Sequence, residues 1–318
     1  MRIAILDDYH DLSTTLADWS DLRRAVTVFD APLPAEDLAR TLAPFEVICV
    51  MRERTPLPGA VIASLPKLRL IVSTGRRNGS IDVTAARQRG IVVCGTDSRS
   101  ASTAQLAMTL LLMGLRNLPA EMNSLAEGGW QVDPGRDLDG LTLGLVGLGR
   151  LGAEVAALAR PFGAEVIAWS ENLTKARCDE VGVTHSATLS SLLERSDAVS
   201  IHLVLSERTR RLIGAAELGL MKPNSFLVNT SRSQILDIDA LLDALRAGRP
   251  GMAALDVFDT EPLLPDDPLR DRELIEKGRL ILTPHLGYGS RQTYELMYRQ
   301  TVEAVRAWLD GDPVRELR

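Results

Sequence analysis

Residues 141–155 read LTLGLVGLGRLGAEV, and the order of features in them sets the architecture. LTLGLV is a short apolar run of the kind that forms a strand buried on both faces. It ends at Gly147. Gly149 and Gly152 complete the spacing GxGxxG, and a small-residue helix pattern, LGAEVAALARPFG, follows at once. A strand, a glycine turn and a helix in that order make a seat for a dinucleotide. Gly147 permits the turn, Gly149 lets the backbone approach a pyrophosphate, and Gly152 lets helix and strand pack closely. The amides of Arg150 and Leu151, exposed at the helix start, would face the phosphates.

Outward from this unit the alternation continues. Strand-like runs at 166–169, 198–202, 226–229, 252–255 and 280–282 are separated by helical patterns. The clearest helix, 237–247, is stopped by Gly248 and Pro250. Upstream, 3–6, 47–51, 68–72 and 91–94 read as buried strands, with 34–42 and 82–89 helical and Asp82 placed as a cap. An apolar helix spans 102–115, a looser stretch with Trp130 spans 117–139, and a last helix spans 290–310. Strands and helices in alternation predict parallel sheets covered by helices. The expectation is α/β with two doubly wound domains, the dinucleotide domain (99–290) being inserted into a first domain made of 1–98 plus 291–318.

The bulk properties exclude several classes. A net charge of −6 offers no footprint for nucleic acid, so any anionic ligand must be held by local cations. MRIAILDDYHD lacks the apolar core of a signal peptide, and the apolar run 106–115 is too short to span a bilayer. Cys49, Cys94 and Cys178 follow no CxxC spacing and read as buried free thiols. A cytoplasmic protein is expected, without nucleic-acid or membrane partners and without a metal. The chain stops soon after its last helix, so no appended regulatory domain is expected.

The cofactor preference turns on the end of the strand AW. Ser170 occupies the position usually acidic in NAD binders, and Glu171 follows it. Glu171 can meet the ribose hydroxyls and should repel a 2′-phosphate, which favours NAD. Ser170 with Lys175 or Arg177 could instead accept that phosphate, which leaves NADP open.

Three further groups follow strand ends. Arg232 lies in LVNTSRS, Glu261 in ALDVFDTEPL and His285 in LTPHLGYGS. Ligands of open α/β sheets bind at the carboxyl ends of the strands. A guanidinium there can grip a carboxylate at two points and polarise a neighbouring carbonyl. Histidine is the natural proton donor near neutral pH, and a carboxylate beside it would favour its charged form. Asp256 is expected at the end of its strand, near the nicotinamide carboxamide, or else as the cap of a turn.

At these residues the chain resembles the D-isomer-specific 2-hydroxyacid dehydrogenase family. The resemblance is carried by DGLTLGLVGLGRLG, SDAVSIHLVLSERTRRLIGAAELGLMKPNSFLVNTSRS, ALDVFDTEPL and LTPHLGYGS. It implies a Rossmann cofactor domain within a flavodoxin-like substrate-binding domain, and a homodimer formed mainly through the cofactor domain. It implies hydride transfer between NAD(P) and C2 of a D-2-hydroxy acid or 2-oxo acid. Arg232 would be the substrate anchor, His285 the proton donor and Glu261 its partner, and Thr230 and Asp256 would join the cofactor set. STGRRNGSID resembles the loop whose amides hold the substrate carboxylate, so Thr74, Gly75, Arg76 and Arg77 would line the substrate site.

Three positions depart from the family pattern: Ser233 replaces a glycine, Gln105 a glutamate and Val204 a proline. Two other readings stay open. One is a dehydrogenase of another small anion such as formate or phosphite. The other is a non-catalytic NADH sensor resembling a corepressor.

Overall fold

A computed structural model describes residues 1–22 and 25–317, which form two compact units. Met1–Arg99 and Gly289–Arg318 make the first, and Ser100–Tyr288 the second.

The first unit holds a five-stranded sheet of β1 (Ile3–Ile5), β2 (Val26–Val28), β3 (Val47–Val50), β4 (Leu70–Ser73) and β5 (Val92–Gly95). The strand order is β2-β1-β3-β4-β5 and every pairing is parallel, which is the flavodoxin-like arrangement. β3 and β4 are buried at every position, as parallel strands covered on both faces must be. The core gathers Leu42, Ile48, Leu57, Ile62, Leu65 and Ile71. Each such side chain removed from water stabilises the fold by about 2 kcal/mol before chain entropy opposes it. Asp82 caps the helix Val83–Gln88 through the amide of Ala85. The long helix Arg291–Leu309 returns to this unit, where Tyr298 donates to the buried Asp8 carboxylate at 3.0 Å.

The second unit holds seven parallel strands: β6 (Thr142–Val146), β7 (Glu165–Trp169), β8 (Thr184–His185), β9 (Ala198–Ile201), β10 (Phe226–Asn229), β11 (Met252–Leu255) and β12 (Leu280–Leu282). Their order is β12-β11-β10-β9-β6-β7-β8. The chain winds outward from β6 in one direction, then returns to β9 and winds the other way. That reversal between β6 and β9 is the switch point of a Rossmann fold, where a crevice opens at the carboxyl ends. One face is covered by the helices Ser100–Leu115 and Arg150–Ala159, whose Ala104, Leu110, Val155 and Ala156 meet Leu143, Leu145 and Phe226. The other face packs Leu192, Leu218, Leu241 and Leu245 against Val199, Leu227 and Leu255.

Four elements differ from the sequence expectation, among them the edge strand β8, whose two residues are too few to show as an apolar run. β2 pairs along the sheet edge although its run VTV is only half-buried, which leaves little apolar signal. Gly59–Ala63 is a helix opened by Pro58, a start that reads as a turn. Leu118–Ala126, inside the stretch expected to be loose, is also a helix. Its polar outer positions and following glycines dilute its period.

Candidate active site

The glycine turn fits the approach of a dinucleotide. Gly147 has φ +109°, and a Cβ there would stand 2.6 Å from the carbonyl oxygen of His202, just past β9. A Cβ on Gly152 would collide with the carbonyl of Gly147. Gly149 is different: nothing lies within 4 Å of where its Cβ would be. The turn is closed on the protein side and open at Gly149, which caps the helix beginning with Arg150 and Leu151. That open edge, above unused helix-start amides, is where a pyrophosphate can be held.

Beyond β7, Ser170 is half-buried and Glu171 exposed. The two cations that might have served a 2′-phosphate are engaged along their own helix. Lys175 reaches Asp179 at 2.9 Å and Arg177 reaches Glu180 at 2.8 Å. Thr230, just past β10, is buried.

β10, β11 and β12 are immediate neighbours, so Arg232, Glu261 and His285 follow three adjoining strand ends. Behind Arg232 the chain is pinned. Asn229 accepts from the Ser231 amide at 3.0 Å and donates to the Arg232 carbonyl at 2.9 Å, while Ser231 donates to Ile201 on β9 at 2.8 Å. Ser233 opens the single turn 233–235 and is not in the left-handed region, so replacing the family's glycine imposes no strain there.

His285 Nδ1 lies 2.6 Å from Glu261 Oε2, and the other carboxylate oxygen of Glu261 accepts from the amide of Phe258 at 3.0 Å. An ionised carboxylate only accepts, so Nδ1 carries the hydrogen and Nε2 is the nitrogen left for proton exchange. Tyr288 packs edge-on to the His285 ring at 5.5 Å.

Asp256 is fully buried, and its carboxylate grips the loop that carries His285. It accepts from Thr283 Oγ1 at 2.7 Å, the Leu286 amide at 2.7 Å and the Gly287 amide at 2.8 Å. Burial raises its pKa. Of the two roles expected for Asp256, the turn cap is the one its hydrogen bonds describe. The grip has an object, since His285 sits in the left-handed region with φ +52°. A non-glycine residue holds such a conformation only when its surroundings impose it.

His202 was not among the expected site residues. It directly follows β9 at the switch point, with both ring nitrogens sealed from solvent and without a hydrogen-bond partner among the described residues. Burial lowers its pKa to about 4, leaving the ring neutral. A second histidine directly after a strand was the available signal.

In the first unit, the loop after β4 divides its four expected residues into two kinds. The Thr74 amide is used by Val50 O at 3.1 Å, and the Gly75 amide by Thr96 Oγ1 at 2.9 Å. The amides of Thr74 and Gly75 are thus spent on the loop's own frame. Arg76 and Arg77 are exposed at the apex. Arg76 pairs with Asp97 at 2.5 Å and holds that carboxyl below the usual carboxylate range.

A cavity of about 600 Å³ in the second unit lies elsewhere, by Leu115, Arg136, Phe226, Met252 and Arg279. Phe226 and Met252 begin β10 and β11, so it opens at the end of the sheet opposite the trio.

Residues 108–287 match the model of the D-isomer specific 2-hydroxyacid dehydrogenase, NAD binding domain. The chain is 34% identical to a D-3-phosphoglycerate dehydrogenase of Methanocaldococcus jannaschii over 88% of its own length, but spans only 53% of that protein. It is 37% identical to a glyoxylate reductase of Korarchaeum cryptofilum, covering 81% of this chain and 78% of the relative. The crystal structure of a phosphoglycerate oxidoreductase from Vibrio cholerae superposes with a TM-score of 0.91 at 33% identity, over 98% of this chain and 99% of the other.

Proposed function

The chain belongs to the D-isomer-specific 2-hydroxyacid dehydrogenase family, and from that membership we propose that it interconverts a D-2-hydroxy acid and its 2-oxo acid with NAD. The observation that carries the reading is the 2.6 Å His285–Glu261 pair beyond β12 and β11, beside the strand that leads to Arg232. An anchor for a carboxylate and an oriented proton carrier are what this reaction asks of the protein.

The cofactor, bound at the turn Gly147–Gly152, supplies the acceptor or donor of the hydride at C2. In the oxidising direction His285 Nε2 removes the hydroxyl proton as C2 becomes a carbonyl; in reduction it returns that proton. Glu261 holds the ring through Nδ1 and stabilises the positive charge while the proton resides there. Arg232 binds the substrate carboxylate and polarises the carbonyl. Asp256 fixes the backbone on which His285 rides. NAD is favoured over NADP because Glu171 follows the end of β7, where the ribose is expected, while Lys175 and Arg177 are engaged with Asp179 and Glu180.

We read the working form as a cytoplasmic homodimer. Supporting this, Leu118, Met122, Leu125, Trp130 and Val132 expose apolar side chains along one helix and the loop after it. The three cysteines are free and buried, and no described helix is long and apolar enough to cross a membrane.

The test is nicotinamide absorbance with NADH or NADPH and a panel of 2-oxo acids from glyoxylate and hydroxypyruvate to bulkier ones. NADH oxidation with at least one acid is expected. His285→Ala and Arg232→Ala should each lower kcat/KM at least a thousandfold while NADH still binds. Tight NADH binding with no turnover across the panel would replace the enzyme by a sensor. Normal turnover in either variant would remove the assigned chemistry.

A further inference from the structure

On the reading that the loop after β4 receives the substrate's carboxylate, we propose that Arg77 holds a second anionic group, so that the preferred substrate is a 2-oxo acid with a distal phosphate or carboxylate.

The loop is built as a rigid frame with two arginines at its apex. On the near side Thr74 Oγ1 accepts from the Arg52 amide at 2.8 Å, and the Gly75 amide is tied to Thr96. The Arg52 guanidinium packs so closely on Gly75 that a Cβ would strike it. On the far side Asn78 is buried and bonded four times. Its amide nitrogen donates to Arg52 O at 2.6 Å and Ser73 Oγ at 3.0 Å, and its oxygen accepts from the Ser80 amide and hydroxyl at 2.9 and 2.6 Å. Residues 76 and 77 are therefore presented from both sides by fixed backbone. Their own amides serve no other group among the described residues.

The charges on this frame are unequal. Arg52 has Glu53 at 3.6 Å. Arg76 is drawn onto Asp97, which Gln300 holds through the Asp97 amide at 2.6 Å and its carboxylate at 3.1 Å. Arg77 has no ion pair among the described residues. One cation is thus left uncompensated beside two unused amides, in a chain whose net charge is −6. A monoanionic substrate would use the amides and leave this guanidinium idle. A dianionic one would use both, and Arg is suited to a phosphate or carboxylate by its two-point fork.

The experiment measures kcat/KM for two matched pairs of acids. One pair is phosphohydroxypyruvate against hydroxypyruvate; the other is 2-oxoglutarate against 2-oxopentanoate. The wild type should prefer the dianion in at least one pair, and which pair it is identifies phosphate or carboxylate. In Arg77→Gln that preference should fall at least tenfold, mainly through KM. Arg77→Lys should retain part of it, and Arg76→Gln should shift it less than threefold. Wild-type preference for the monoanions in both pairs would overturn the proposal. So would a preference unmoved in Arg77→Gln, or one moved equally in Arg76→Gln. Absence of turnover with all four acids would overturn the proposal, and the wider panel of 2-oxo acids then decides whether the dehydrogenase reading falls with it; turnover without discrimination defeats only the role of Arg77.

Discussion

His285 and His202 show how one residue type takes opposite states after two strands of one sheet, β12 and β9. His285 keeps Nδ1 on Glu261 and has Nε2 to spend. His202 has neither nitrogen partnered, and burial holds its pKa at about 4 against the ordinary 6.5. Between those values the unfolded chain takes up a proton that the folded chain refuses, so stability falls as pH drops through that window. The loss at pH 5 is about 2 kcal/mol. His202→Phe keeps the ring volume and removes the titrating group. Its melting temperature should fall less between pH 7 and pH 5 than the wild type's. Equal falls would place the acid sensitivity in another residue.

At the level of elements, the glycine turn separates stability from binding. Gly152 is a packing position, because a side chain there meets the Gly147 carbonyl. Gly149 faces open space and has φ −73°, which alanine adopts freely. Gly149→Ala should therefore melt within a degree or two of the wild type yet bind NADH at least tenfold more weakly in a fluorescence titration, since the added methyl occupies the pyrophosphate's approach. Gly152→Val should lose stability as well, by ~1–3 kcal/mol as overpacked sites do. Unchanged NADH affinity in Gly149→Ala would move the pyrophosphate away from this turn. The loop 283–287 makes a parallel case: its shape belongs to Asp256, which follows a different strand, β11.

For the whole molecule, each unit carries its own core on its own parallel sheet, and the chain passes between them after Arg99 and again before Gly289. Apolar surface without a partner is concentrated in the second unit, where Met122 is 64% and Trp130 74% exposed. Such a patch is what a second copy would cover. Sedimentation velocity at micromolar concentration should show a dimer, and Met122→Glu with Leu125→Glu should shift it toward monomer. A wild-type monomer would end the dimer reading. The chain spans about half the length of the curated phosphoglycerate dehydrogenases it matches, so their assembly is no guide to its own.

Much of this was legible in the amino-acid order because it is local. β10, β11 and β12 stand at the expected residues, since a parallel strand buried on both faces is a continuous apolar run. Asp237 and Gly248 bound their helix as cap chemistry requires. Arg232, Glu261 and His285 could each be placed after a strand. What no local pattern contains is which strands adjoin and which polar groups are already satisfied. Only the tertiary structure put β10, β11 and β12 side by side and closed His285 onto Glu261. It alone turned Asp256 onto the His285 loop, spent the amides of Thr74 and Gly75 on Val50 and Thr96, and left Arg77 without, among the described residues, the counter-ion that Arg76 has. The physical reason is that apolar periodicity and turn chemistry are properties of a few consecutive residues. A hydrogen bond is satisfied by whichever group the fold brings within reach, and here those groups come from 21 to 203 residues away.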